Sequence, residues 1–330
     1  MTVLLTHRFT TARAADLIVV LDGGRFTEVG AHDTLSQVNG LYAAVPSADP
    51  VLRLTGRTPW APAADELQER GGVMNVERLV EIAVEVSLKV GGFLREQFRQ
   101  QPLSIRKGTR YDRVTEIDGL AEESIRTGLL AACPDSVVIG EENGVSGRGD
   151  VRWYVDPIDG TYNFARGIPL FCVSIGVVTD GAARGGCVYD PVRDEMFTAG
   201  GGDLRINGEP VRWQGHGPPL LLTDLAERHF HSGTGSGEYC GLRQIGSSAL
   251  ALAWVAAGRA DLAANLNVYA WDVAAGRVLV EAVGGGYVGL PDDVLRTDRR
   301  GGFVAWGPQH VSLGRNLEER LRRAPIQDVA

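Results

Sequence analysis

The stretch Trp153-Tyr154-Val155-Asp156-Pro157-Ile158-Asp159-Gly160-Thr161-Tyr162-Asn163-Phe164-Ala165-Arg166-Gly167 decides how this chain is read. The apolar run Trp153-Tyr154-Val155 predicts a buried strand. It ends in two carboxylates, Asp156 and Asp159, around Pro157, which lacks a backbone donor and is expected to stop the strand. Gly160 and Thr161 then open a turn into a helix. Two hard anionic ligands therefore stand beside free backbone N–H groups. Carboxylate oxygens suit Mg²⁺, and N–H groups at a helix N-terminus suit a phosphate. One short segment offers both halves of a metal-assisted phosphate site.

Two further segments fit this picture. Upstream, Val137-Val138-Ile139-Gly140-Glu141-Glu142-Asn143 is another short apolar strand ending in acids. Downstream, Trp271-Asp272-Val273-Ala274-Ala275-Gly276 places an acid at the opening of a helix rich in small residues. Hydrolysis of a phosphate ester by metal ions needs oxygen ligands gathered from separate strand ends, so that one ion activates water while another stabilises the leaving oxygen. Glu141, Asp156, Asp159 and Asp272 would supply that cluster. Acids at strand ends also serve as helix caps. On that reading Asp272 caps the helix at Val273-Ala274-Ala275, and Asp118 caps the helix holding Glu122 and Glu123. Glu142 reads equally as a neighbour of the ligands or as an acid backing them.

Taken together, these segments resemble the inositol monophosphatase family of Mg²⁺-dependent, lithium-sensitive sugar-phosphate phosphatases. The matching stretches are Val114-Thr115-Glu116-Ile117-Asp118, Ile139-Gly140-Glu141-Glu142, residues 156–164, Val188-Tyr189-Asp190-Pro191, residues 246–258 and residues 271–276. They occur in the family's order and span roughly residues 75–315. The resemblance implies a layered α-β-α-β-α sandwich of the inositol monophosphatase and fructose-1,6-bisphosphatase type, usually a homodimer. It also implies two or three Mg²⁺ ions. Glu141, Asp156 and the carbonyl of Ile158 would hold the ion that activates water. Asp156, Asp159 and Asp272 would hold the ion on the leaving-group side. Thr161, paired with Asp118, would orient the nucleophilic water and help remove its proton. The backbone amides of Gly160 and Thr161 would bind the phosphate, and Ser247, Ser248 and Asn265 would face the sugar end. This is coherent chemistry, because phosphoryl transfer asks mainly for positioning and charge neutralisation. A bundle of acids without metal would be strained by mutual repulsion.

Departures from the family concern the substrate. Inositol-specific members carry Glu six residues before the Trp-Asp pair; here Asn265 stands there, able to donate and accept but not to provide a charged acceptor. Tyr162 occupies a position where a second small residue is common, and would narrow the pocket mouth. Ser247 and Ser248 read equally well as helix N-caps. The run Ala199-Gly200-Gly201-Gly202-Asp203 before Asn207-Gly208 suggests a trimmed surface hairpin. Inositol-1-phosphate, histidinol phosphate, fructose-1,6-bisphosphate, a 3′-phosphonucleotide and an aminocyclitol phosphate all suit the same chemistry.

The beginning of the chain reads differently. Residues 4–42 resemble the last part of an ABC-transporter ATPase domain, with His7 at the position of its switch histidine. No Gly-rich phosphate loop ending in Lys-Ser/Thr accompanies it, and a histidine without that cradle has nothing to sense. Residues 1–45 are therefore expected to be a remnant, and the Pro- and Gly-punctuated residues 46–73 a flexible linker. An amphipathic helix follows from Val76, and residues 74–330 form the expected phosphatase domain, with Met74 a natural start for it. The alternative function is a non-catalytic or transporter-associated protein built on that ATPase fragment.

Composition agrees with a soluble enzyme; the resemblance implies a small phosphorylated metabolite as its substrate, and the cytoplasm is the expected location. Across 330 residues the chain is 44% hydrophobic, ample for a large core, and its net charge of −8 argues against a nucleic-acid surface. Only Lys89 and Lys107 are lysines among 33 basic residues, so the basic side chains follow base composition rather than function; the resemblance puts Lys107 near the position where the family keeps a Lys close to the acids. Cys133, Cys172, Cys187 and Cys240 lack paired spacing and read as reduced thiols. No segment reaches the roughly 20 apolar residues of a membrane span, and the first residues lack the pattern of a secretory leader.

Overall fold

A computed structural model describes residues 18–22, 25–35, 74–99, 110–215, 217–225, 241–297 and 299–323. The chain divides into two compact units, Met1–Ala64 and Asp65–Ala330. The described part of the first is an antiparallel hairpin of β1 (Ile18–Asp22) and β2 (Arg25–Gly30), followed by the short helix α1 (His32–Leu35). His7, residues 46–73, Lys107, residues 233–237 and Cys240 lie outside the described residues.

The second unit opens with two long helices, α2 (Val76–Arg99) and α3 (Arg110–Ala132). In α2 the apolar side chains Leu79, Val80, Ile82, Ala83, Val90 and Leu94 recur at helical spacing and are buried. Strands β3 (Ser136–Gly140), β4 (Gly144–Gly147) and β5 (Val151–Asp159) follow, then the single-turn helix α4 (Thr161–Arg166). β6 (Cys172–Thr179), β7 (Ala182–Asp190) and β8 (Glu195–Gly200) form a meander. It ends in the small hairpin of β9 (Arg205–Ile206) and β10 (Glu209–Pro210), whose turn places Asn207 and Gly208 at positive φ, as a tight two-residue hairpin requires. These eight strands form one sheet in the order β10-β9-β8-β7-β6-β5-β3-β4, antiparallel except for β3 beside β5.

A second sheet has the order β12-β11-β13-β15-β14. Its strands are β11 (Leu220–Thr223), β12 (Gly241–Arg243), β13 (Leu262–Val268), β14 (Gly286–Leu290) and β15 (Gly301–Trp306). Helices α5 (Ser248–Ala256) and α6 (Ala270–Ala282) run between the two sheets, α7 (Val294–Thr297) is a short connector, and α8 (Val311–Arg323) covers the far face of the second sheet. The five layers are α2 and α3, the large sheet, α5 and α6, the small sheet, and α8. This is the expected α-β-α-β-α sandwich.

Three apolar clusters fill the spaces between layers. Leu79, Ile82, Ile125, Leu129, Trp153, Val155 and Phe164 lie under α2 and α3. Tyr154, Phe197, Leu250, Leu252, Val273 and Leu279 join the large sheet, the inner helices and the small sheet. Leu221, Leu262, Val304, Trp306, Leu317 and Leu321 lie under α8. Each fully buried large side chain contributes about 1.5–3 kcal/mol of transfer free energy. Glycine lets α6 lie against the sheet: a Cβ at Gly176 would strike Ala274, and one at Gly186 would strike Ala275. No helix among the described residues is long and apolar enough to cross a membrane.

Candidate metal centre

The sequence suggests that Pro157 ends its strand, but β5 runs on to Asp159. The pairing with β6 explains how. Asp156 lies opposite Ser174 and Asp159 opposite Cys172, so three steps on β5 face two on β6. This is a β-bulge, where a residue without an N–H is tolerated. It also settles the direction of the two acids. In a regular strand, residues three apart point to opposite faces; the extra residue returns Asp159 to the face of Asp156. Both then meet Asp272, near the start of α6. Carboxylate oxygens of Asp156, Asp159 and Asp272 lie within 4.8 Å of one another.

Each acid is fixed by backbone donors. Asp156 Oδ1 accepts from the Ile158 amide at 2.9 Å. Asp159 sits over the first turn of α5, where Oδ2 accepts from Ser247 Oγ and the Ala249 amide, each at 2.6 Å, and Oδ1 from the Ser248 amide at 3.3 Å. Ser247 is the N-cap of that helix and also accepts from the Leu250 amide at 3.3 Å. Asp272 Oδ2 accepts from the Tyr269 amide at 2.7 Å. Tyr269 is the N-cap of α6 and Asp272 its third residue, so Asp272 satisfies the N-cap amide from inside the helix and does not cap a helix starting at Val273.

Burial and mutual repulsion push these carboxyls upward. Asp156 and Asp272 are held well above the ordinary carboxylate range, first by loss of water and then by neighbouring acids. Asp159 rises only to about 6, because its three donors offset part of the burial cost. Glu141 follows the last residue of β3, its amide donating to the Val155 carbonyl at 3.3 Å. It lies outside the set of three Asp, yet dehydration, Glu142, Asp159 and Glu122 raise its carboxyl to about 7. Glu142 is exposed. A group of buried carboxylates that raise one another could serve as oxygen donors to a hard divalent cation.

Asp118 is not a helix cap. It lies inside α3, which starts at Arg110, and is buried with Oδ2 unpartnered among the described residues. Burial, then Glu142 and Glu141, push its carboxyl to about 8, while a hydrogen bond with Thr161 pulls the other way. Thr161 Oγ1 donates to the Ile158 carbonyl at 3.0 Å. Gly160 precedes α4 at φ 104, and a Cβ there would press on the Leu170 carbonyl. Tyr162 is exposed, with the Arg166 guanidinium 5.1 Å from its ring centre.

Ser248 and Asn265 meet beside Asp159: Asn265 Nδ2 donates to Ser248 Oγ at 3.0 Å. The same amide reaches Asp224 Oδ2 at 3.4 Å, and Asp224 Oδ1 accepts from the Gly246 amide at 3.0 Å. Asp224 follows Leu220-Leu221-Leu222-Thr223, a further apolar strand ending in an acid, and that signal could have revealed it. Cys172, buried with its Sγ 3.7 Å from Asp159 Oδ2, and Glu122, buried one helical turn beyond Asp118, are the other residues the sequence reading left aside.

The family profile described as the inositol monophosphatase family matches residues 75–320. This chain belongs to the inositol monophosphatase family. It is 36% identical to an inositol-1-monophosphatase of Rhizobium meliloti over 270 residues, covering 74% of this chain and 96% of that one. It is also 35% identical to Nus factor SuhB of Escherichia coli over 224 residues, covering 63% of this chain and 83% of that protein. Among solved structures, an inositol monophosphatase from Anabaena superposes with a TM-score of 0.60 at 29% identity, over 76% of this chain and 97% of that chain. Mycobacterium tuberculosis SuhB gives 0.62 at 27% identity, over 75% and 98%. The chain is accordingly a phosphoric monoester hydrolase.

Proposed function

We propose that this protein hydrolyses the phosphate ester of a small sugar, cyclitol or related metabolite with Mg²⁺, in the cytoplasm and as a homodimer. The observation that carries the reading is the convergence of Asp156, Asp159 and Asp272 within 4.8 Å on one face of a bulged strand. Asp156, Glu141 and the Ile158 carbonyl would hold one ion; Asp156, Asp159 and Asp272 would hold another, with room in the acid set for a third. Bound there, Mg²⁺ would neutralise the acids and the phosphate and make water a better nucleophile. Thr161 Oγ1, hydrogen-bonded to Asp118, would orient the attacking water and pass on its proton. The amides of Gly160 and Thr161 would hold the phosphate oxygens. Ser248, Asn265 and Asp224 would meet the hydroxyls of the organic part, Asp224 supplying the charge that Asn265 lacks. Residues 1–45 we read as an ATPase remnant and 46–73 as a linker, neither taking part in this chemistry.

The test is phosphate release from inositol, sugar, histidinol and nucleotide phosphates, with and without Mg²⁺ and with added lithium. Mg²⁺-dependent, lithium-blocked release from one class supports the proposal; no release from any, with metal bound, sinks it. A second reading is favoured by relatives of equal identity that are named Nus factors. It predicts a cellular role that survives Asp156→Asn, whereas the phosphatase reading predicts that the role is lost with activity.

A further inference from the structure

We infer that Glu122 is a positioning residue for the metal centre, a buried clamp that fixes the turn presenting Glu141. The inference rests on the reading of Glu141 as a metal ligand.

Glu122 lies in α3 and is fully buried. Its carboxylate does not stop at a helix-internal ion pair. Oε2 accepts from the Glu142 amide at 2.7 Å, and Oε1 from the Asn143 amide at 3.0 Å. Arg126, one turn further along, donates through Nη2 to Oε1 at 2.5 Å and to the Gly144 carbonyl at 3.1 Å. The pair therefore grips three consecutive residues of the turn directly after Glu141. On its other side Glu141 is tied to β5 by its own amide. Between these two attachments the backbone of Glu141 has little freedom.

Gly140 belongs to the same device. A Cβ there would overlap the Glu122 carboxylate, so glycine before Glu141 makes room for the clamp. Energetics point the same way. A buried ion pair is a weak contributor to stability, because desolvation offsets attraction. Among the described residues Arg126 Nε and Nη1 are also buried without partners, a poor arrangement for a stabilising pair. What the pair does well is orient backbone: a charged acceptor bridging two adjacent amides leaves the turn one geometry. The helix that carries Glu122 also carries Asp118, so one rigid element sets both the turn of Glu141 and the partner of Thr161.

The test uses the full chain and Mn²⁺, whose binding is read directly by electron paramagnetic resonance and calorimetry. Glu122→Gln keeps the shape, but its amide group faces an N–H and Arg126 loses its counter-charge. One class of Mn²⁺ site, the one using Glu141, should weaken by about 10- to 100-fold, as for other residues that orient ligands from behind. The class held by the three Asp should stay within a few-fold. Arg126→Gln, which keeps the carboxylate but drops the Gly144 bond, should move the same isotherm in the same direction by less. Wild-type isotherms in both variants, measured below their melting temperatures, overturn the inference even if both melt earlier, because that is a purely structural role. Wild-type protein that binds no Mn²⁺ sinks the metal reading of the site itself, a separate outcome.

Discussion

Asp156→Asn should make the metal-free protein more stable while abolishing its chemistry. The change is isosteric and keeps the local hydrogen bonds. Asn Oδ1 can still accept from the Ile158 amide, and its NH2 can donate to Asp272, with which Asp156 already shares a hydrogen bond. What disappears is one charge from a set whose oxygens lie within 4.8 Å. Two unit charges that close repel by about 3 kcal/mol at an effective dielectric near 20. The protein avoids part of this by holding protons, so the expected net gain is about 1–3 kcal/mol, or roughly 3–8 °C in melting temperature for a domain of this size. The sign with pH follows from the raised carboxyls. Between the unfolded Asp value near 3.8 and the folded values, about 6 for Asp159 and about 8 for Asp118, the unfolded chain binds fewer protons. Metal-free wild type therefore loses stability as pH rises through this window, and the advantage of the variant, small near pH 4, grows with pH. Melts in EDTA across that range, repeated with Mg²⁺, measure both effects. Mg²⁺ should raise the wild-type melting temperature and leave the variant nearly unmoved. A variant that melts below wild type in EDTA at pH 8 would refute the idea that these acids repel one another.

Asp224→Asn should raise KM about 3- to 10-fold for a hydroxyl-rich phosphate with little change in kcat, the signature of lost uniform binding; an unchanged KM removes Asp224 from the substrate site. Gly160→Ala should cost about 2–4 kcal/mol by urea unfolding, because a side chain at φ 104 is strained and its Cβ presses on the Leu170 carbonyl; a loss below about half a kcal/mol contradicts that geometry. Deleting residues 1–73 should leave kcat/KM and melting temperature nearly unchanged, and a large loss in either would show that the first unit belongs to the working enzyme.

Much of the fold was legible because its strands and helices announce themselves locally. Trp153-Tyr154-Val155 and Val137-Val138-Ile139 read as strands from their apolar runs, and α2 as a helix from spacing alone. Asp156, Asp159 and Asp272 were legible as acids that could converge because each ends a strand or opens a helix. Asp118 was harder to place: its helix begins eight residues earlier than the cap reading required, and residues 110–115 carry no strong start signal. Glu122 and Asp224 escaped because their roles are non-local. Nothing near Glu122 in sequence says that its carboxylate will meet amides twenty residues away.

The bulge at Pro157 shows most clearly where local reading fails and why. Proline in a strand argues for termination only while the ladder is regular, because a regular ladder needs the missing N–H. Two acids three apart on a regular strand would also point to opposite faces, and no shared ion could join them. The converging acids and the surviving strand thus have one cause, a single extra residue on β5 between Ser174 and Cys172 of its partner. The converse is a rule for this motif: Asp-Pro-Ile-Asp can make a shared site only if its strand is bulged. Deleting Ile158 should therefore do more than shorten a loop. It would put the two acids two residues apart in a regular register, still opposite Ser174 and Cys172, so they would keep one face without the bulge. Mn²⁺ binding at the three-Asp site should therefore survive the deletion, while the site that uses the Ile158 carbonyl should be lost; vanished binding at the three-Asp site would show that pairing parity does not decide the convergence.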